Sequence, residues 1–227
     1  MNDTTDAQVR SPWLLLVLSF GAGATDAFAF LALGGIFTAN MTGNLVLVGL
    51  VGREDYLATL IGAVVAIMVF LVVLLIGFRY AHRSTKQPAH VTTVVLSVAA
   101  AIQVGTLVAW WILDSPTGEI VIDVLVALSA SAMALQTVVA RTSAVGGGLS
   151  TTFVTGTMVS IVDDLASGNT EYLALRVGAI ASLVAGSFAG AVSILAAPEH
   201  GPVVSAATGC IALVLSVFGA RRRVSRR

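Results

Sequence analysis

The chain has 227 residues, 57% apolar and only 11% charged, with a formal net charge of zero, whereas a soluble domain is about one-quarter charged and less than half apolar. Its mean hydropathy of +0.95 excludes a soluble globular protein. Nearly all of the length is membrane domain, which leaves no room for a separate soluble catalytic unit. A lone cysteine, Cys210, excludes an internal disulfide or a cysteine-based metal site and reads as a small core residue.

The N-terminus carries Asp3, Asp6 and Arg10. The positive n-region of a secretory signal is missing, although Ala27-Phe28-Ala29 fits the small-residue cleavage pattern. Residues 12 to 33 are therefore read as a retained first span, in which Asp26 is the only charge between Ser11 and Gly52. Residues 34 to 52 (GGIFTANMTGNLVLVGLVG) open on glycines, pass through small polar residues and end in a short apolar pattern. Such an opening disfavours a continuous helix, so this is an interrupted segment. Apolar runs of spanning length follow at 57 to 80, 90 to 113 and 120 to 141. A second interrupted segment, 146 to 166 (GGGLSTTFVTGTMVSIVDDLA), precedes the last two spans, at 172 to 197 and 202 to 220. The expected fold is all-α: a polytopic membrane protein with six transmembrane helices and two re-entrant half-helices.

The two interrupted segments match. At an offset of 113, Thr38, Thr42 and Gly43 fall on Thr151, Thr155 and Gly156, and the following LATLIGA lies over LALRVGA at an offset of 116. Upstream, Asp26 falls near Gln136 once a few residues are inserted. This predicts a duplication, residues 1 to 116 and 117 to 227, within one membrane domain. If both interrupted segments dip in and return, Arg10, Arg79, Arg83, Lys86, Arg141, Arg176 and the five tail arginines face one side, 11 in all, against Arg53 alone on the other. If both crossed fully, the split would be 8 to 4. Basic residues accumulate on the cytoplasmic side, so six spans with both termini cytoplasmic are expected. Three spans per half is an odd number, which turns the second copy upside down, as in the inverted-topology repeats of many secondary transporters.

In that arrangement the short helices begin near Thr42 and Thr155, with threonine as N-cap and a following glycine that lets a ligand approach. Their N-termini would meet near the midplane, where orphan N–H groups and partial positive charge suit an anion or carboxylate. Thr38, Asn40, Thr42, Gly43 and Asn44 with Thr151, Thr152, Thr155, Gly156 and Thr157 form the predicted substrate site. The competing reading is that they only satisfy the broken backbone. Asp26, the one carboxylate deep in a span, is a functional candidate; reversible protonation would suit proton coupling, and a hydrogen bond to an interrupted segment is its plainer role. Arg141 is placed to attract an anion or to snorkel to the interface.

Other features read structurally. Gln103 and Gln136 are mid-span amides suited to gluing helices together. Trp110 and Trp111 fit an aromatic belt. Gly178, Ser182, Gly186 and Gly190 form a small-residue ridge for close helix contact, within the chain or across a homo-oligomer. Adjacent Asp163 and Asp164 diverge on a helix and do not form a dyad. Gly21-Ala22-Gly23 is a fragment of a dinucleotide fingerprint without a preceding strand and reads as a packing surface. The arginine tail abuts a hydrophobic helix and reads as lipid-facing, not as a nucleic-acid patch. No metalloprotease, serine-hydrolase or phosphate-loop pattern is present, and His82, His90 and His200 are too scattered for a metal cluster. Neither an enzyme nor a cofactor or metal is expected.

The run GATDAFAFLALGGIFTANMTGN, with the later STTFVTGT, resembles the YoaK family, small bacterial membrane proteins classed as a domain of unknown function. The resemblance covers essentially the whole chain. It implies a multi-pass protein of about six helices in a prokaryotic cytoplasmic (inner) membrane, and supplies no substrate or catalytic residue. In the second copy Phe153 and Thr157 replace Asn40 and Asn44, so any site is asymmetric. The sequence thus leads to a secondary transporter or permeation protein for a small polar or anionic solute, with a non-transporting membrane scaffold as the alternative.

Overall fold

The computed structural model describes residues 12–114, 118–143 and 154–224. Its helices are α1 (Pro12–Ala32), α2 (Met41–Gly49), α3 (Tyr56–Arg83), α4 (Pro88–Ile112), α5 (Glu119–Ser143), α6 (Val154–Ser167), α7 (Leu173–Ala196) and α8 (Val203–Val224), with a 3₁₀ turn at Pro198–His200 before α8. Among the described residues the regular structure is all helical, and six helices are long and apolar enough to cross a membrane: α1, α3, α4, α5, α7 and the last, counted from Pro198. The six predicted spans match these within a few residues.

The breaks follow from local chemistry. Leu33 closes α1 by donating to Ala29 O at 2.9 Å. Gly34 and Gly35 then take φ of +80° and +76°, a region L-residues with side chains avoid. A Cβ on Gly35 would also lie 2.6 Å from Arg53 Nη2, so the two ends of the first interrupted segment lie side by side. At about 1.5 Å per residue the nine residues of α2 reach less than half-way across a hydrocarbon core of about 30 Å. α2 is therefore too short to cross on its own. Pro88 opens α4 at a position where its missing N–H is not needed, and His82 and Arg83 complement the C-terminal end of α3.

The long, short, long, long order of α1 to α4 recurs in α5 to α8. The packing exchanges the two sets: α1 lies mainly against α7 and also α8, whereas α5 lies mainly against α3 and also α4; α4 and α8 pack on each other. Accordingly α1 and α5 are the most buried spans, and α3 and α7 among the least. One apolar cluster joins α1, α3 and α5 through Phe28, Leu33, Ile36, Phe70 and Met133. A second joins the start of α1 to α4, α5 and α8 through Leu15, Leu18, Leu96, Val139 and Ala212.

The small-residue ridge on α7 is used inside the chain. A Cβ on Gly186 would overlap the Phe20 carbonyl, one on Gly190 would lie 2.7 Å from Ala24 O, and one on Gly23 would overlap Leu183 O. The backbones of α1 and α7 approach as small-residue pairs allow, and Ser187 Oγ donates to Gly23 O at 3.2 Å. Gly186 and Gly190 are thus covered by α1 and are not an outward-facing dimer surface. Two other expectations are corrected. Trp110 does not join an aromatic belt: it is buried, donates from Nε1 to Pro198 O at 2.9 Å and packs edge-on to Phe28 at 5.1 Å, and Trp111 alone is exposed. Cys210 is an exposed residue of α8, not a core one, because its neighbour Gly209 takes the position against Gln103.

Candidate functional site

The first interrupted segment is held by two side chains. Asp26 lies in the C-terminal third of α1 and accepts from three consecutive backbone N–H groups: Thr38 and Ala39 to Oδ1, both at 2.7 Å, and Asn40 to Oδ2 at 3.1 Å. The Thr38 hydroxyl adds a donor to Oδ1 at 3.3 Å. Asn44, fully buried, pairs with both ends of one peptide residue, accepting from Phe37 N at 2.9 Å and donating to Phe37 O at 2.6 Å. Non-helical backbone at membrane depth must be satisfied by protein, and here the N–H groups from 37 to 40 are. Of the two roles open to Asp26 from the sequence, the hydrogen bond to the interrupted segment is the one realised in the structure.

The helix begins two residues earlier than expected. Asn40, not Thr42, is the N-cap of α2, its Oδ1 accepting from Gly43 N at 3.2 Å. Thr42 sits inside the first turn with an exposed side chain. A Cβ on Gly43 would lie 2.7 Å from the Phe37 ring, so glycine there admits that ring. Phe37 in turn stacks on Phe30 at 5.0 Å.

A cavity of about 620 Å³ lies between α1, α2, α6 and α7. Six of the predicted residues line it: Asp26, Asn40, Thr42 and Gly43 from the first half, Thr155 and Gly156 from the second. Ala22, Gly23, Phe37, Leu183 and Ser187 complete much of the wall. The starts of the two short helices thus line one cavity. Thr38, Asn44 and Thr157 are buried behind the wall and do not line it. Arg141 is exposed at the end of α5, also off the wall. Thr151 and Thr152 lie outside the described residues. Among the described residues no Lys, Arg or His lines the cavity, and no group of three His, Cys, Asp or Glu is placed to hold a metal ion.

Sequence reasoning missed the anchor of α6. Arg176 on α7 pairs with Asp164 and donates to Ser160 O at 3.1 Å, with both charged side chains nearly buried. The signal was available: opposite charges on two otherwise apolar helices about three turns apart in sequence. The mid-span amides do join helices, Gln136 Nε2 donating to Gln103 Oε1 at 3.3 Å between α5 and α4, though Gln103 Nε2 and Gln136 Oε1 have no partner among the described residues.

Comparison with known proteins is consistent with this architecture. The profile of DUF1275, described as a protein of unknown function, matches residues 14–216. The chain is 30% identical over 154 residues to the UPF0700 transmembrane protein YoaK of Bacillus subtilis (strain 168). That alignment takes in 67% of this chain and 66% of the relative, just under two thirds of its length. No solved structure matches. The breadth of the profile match and the identity to YoaK together show that the chain is a multi-pass membrane protein belonging to the DUF1275, or YoaK, family.

Proposed function

We propose that the chain is a secondary transporter or permeation protein, without enzymatic activity, that passes a small polar solute through the cavity between α2 and α6. The observation that carries this reading is the convergence of Asp26, Asn40, Thr42, Thr155 and Gly156 on one cavity, built from the two short helices that the sequence relates to each other. Secondary transporters place their sites at such interrupted helices between repeats. The recurring element order and the exchanged packing of α1 and α5 support a duplication, and three spans in each half make it an inverted one. The distribution of basic residues orients both termini to the cytoplasmic side of a prokaryotic inner membrane.

Uptake by the full chain in proteoliposomes, measured for a panel of small cations, neutral polar solutes, carboxylates and inorganic anions, tests transport. Flux of at least one solute is expected, lost when Thr42→Trp and Thr155→Trp fill the cavity in protein that still elutes as one species. One observation favours a non-transporting scaffold instead: Asp26, Thr38 and Asn44 are all engaged with the broken backbone. Absence of flux for every solute would establish that second reading. Orientation is tested by labelling cysteines placed at Arg53 and Lys86 in a Cys210→Ser background; the cysteine at 53 should react from outside and the one at 86 only from the cytoplasmic side.

A further inference from the structure

We infer that the cavity selects a solute with an N–H-bearing cationic head, of the ammonium or guanidinium class, and not an anion. This deepens the solute-site reading above and rests on it. A helix N-terminus recruits an anion when its N–H groups point at an empty position. At α2 the chain supplies the anion itself, because Asp26 takes the N–H groups of Thr38, Ala39 and Asn40, and Asn40 Oδ1 takes that of Gly43. An arriving anion would meet a carboxylate where it needed donors.

The same carboxylate has capacity left for a donor. A carboxylate offers about four acceptor positions over its two oxygens. Oδ1 is crowded by Thr38 N, Thr38 Oγ1 and Ala39 N, whereas Oδ2 receives only Asn40 N. Asp26 is half-buried on the cavity wall, and Oδ2 keeps acceptor capacity for a solute that enters there. No cation of the chain competes for it: among the described residues Asp26 has no ion pair, and Arg176 is committed to Asp164. Asp26 is also the only formal charge on the described wall, the ends of α2 and α6 being partial charges. Phe37, Val46 and Leu183 give the rest of the wall an apolar character. A carboxylate or inorganic anion gains nothing from such a surface.

Guanidinium, which keeps its charge at all working pH values, and tetramethylammonium, which has the same charge and no N–H, are the discriminating probes. The full chain is assayed in two ways: thermal stability in detergent with each probe at millimolar concentration, and proteoliposome uptake of each probe beside formate and chloride. Guanidinium is expected to raise the unfolding temperature and to be taken up, and tetramethylammonium to do neither. Asp26→Asn should weaken apparent guanidinium affinity by about tenfold or more, as loss of a charge-assisted contact does. Thr42→Lys, at an exposed wall position that leaves the Asp26 hydrogen bonds intact, should do the same by filling the site with a tethered ammonium. It carries the test should Asp26→Asn fail to fold. Guanidinium binding without flux of any solute would sustain the cation site and overturn the transport reading. Formate or chloride flux without guanidinium binding would sustain transport and overturn the cation site. Guanidinium binding unchanged in both variants, or no binding and no flux at all, would also overturn it.

Discussion

The half-helices α2 and α6 occupy corresponding places in the chain, yet among the described residues the side-chain anchors of α2 gather at its start and those named for α6 lie towards its far end. α2 is fixed at its start, where Asp26, Asn40 and Asn44 satisfy six backbone groups within a few residues. Its far end is tied by one neutral contact, Tyr56 Oη donating to Val48 O at 2.8 Å. α6 is fixed at its far end by the ion pair of Arg176 and Asp164 and the bond from Arg176 to Ser160 O. Where α1 offers Asp26, the corresponding stretch of α5 offers Gln136, which faces Gln103 instead. The two short helices thus meet one problem, being held inside a membrane protein, with two different sets of residues. The rigidly capped start of α2 makes it the fixed wall of the cavity, with α6 anchored from behind.

The largest expected effect breaks this comparison at its strongest point. Asp26→Ala removes the acceptor for three backbone N–H groups, those of buried Thr38 and Ala39 among them. Each buried orphan costs about 1–3 kcal/mol, so a loss of about 4 kcal/mol or more is expected, enough to consume much of a typical domain's stability. Gln136→Leu removes one long hydrogen bond together with an atom that already lacks a partner; it should cost about 1 kcal/mol or less. Both are read as the apparent unfolding midpoint of the purified chain in one detergent. Equal losses would show that α1 and α5 are held alike.

The next effect falls on α6. Asp164→Asn leaves the nearly buried Arg176 guanidinium without its counter-ion, and breaking such a pair costs about 3–5 kcal/mol when fully buried. The pair keeps side-chain exposures of 12% and 10%, which reduces the expectation to about 2–3 kcal/mol. Replacing both partners by leucine should cost less than either single change. At the matching end of α2, Tyr56→Phe removes one neutral hydrogen bond and should cost about 1 kcal/mol. Asn44→Ala falls between these, at about 2 kcal/mol, because it strands both the N–H and the carbonyl of Phe37. Thermal midpoints, with limited proteolysis to localise the loosened segment, would rank the four.

Hydropathy and charge made the spans legible, because twenty-residue apolar runs have one interpretation in a membrane protein. The Thr-Gly repeat also pointed to the two segments whose starts line one cavity. What the sequence did not carry was choice among equivalent partners. The four-residue period on α7 identified a close-packing face but not that α1 would cover it, since a ridge of small residues fits any smooth helix. Asn40 and Thr42 are both good caps two positions apart, and the selection of Asn40 depends on Asp26 drawing Thr38, Ala39 and Asn40 out of helical geometry. Arg176 counted only toward topology, because ion pairing across two helices depends on their relative rotation. Trp110 carried an interfacial signal by composition, yet the 3₁₀ turn at Pro198–His200 offered its N–H a buried acceptor.

The smallest effect tests that cap directly. Asn40→Ala should cost about 1 kcal/mol, as removal of an N-cap does, because Gly43 N loses its acceptor. Thr42→Ala should stay within about 0.5 kcal/mol, the range of an exposed substitution that removes no structural contact. Asn40→Ser should restore most of the loss. Asn40→Asp should restore less, although aspartate caps as well as asparagine in water: the new carboxylate would share the cavity wall with Asp26, and like charges lining one pocket repel. In the second copy the position of Asn40 is taken by Phe153, whose side chain has no acceptor, and Thr155 stands where Thr42 does. Thr155→Ala costing more than Thr42→Ala would therefore mean that α6 took the threonine cap that α2 declined, and the two half-helices would differ at their starts as well as their ends.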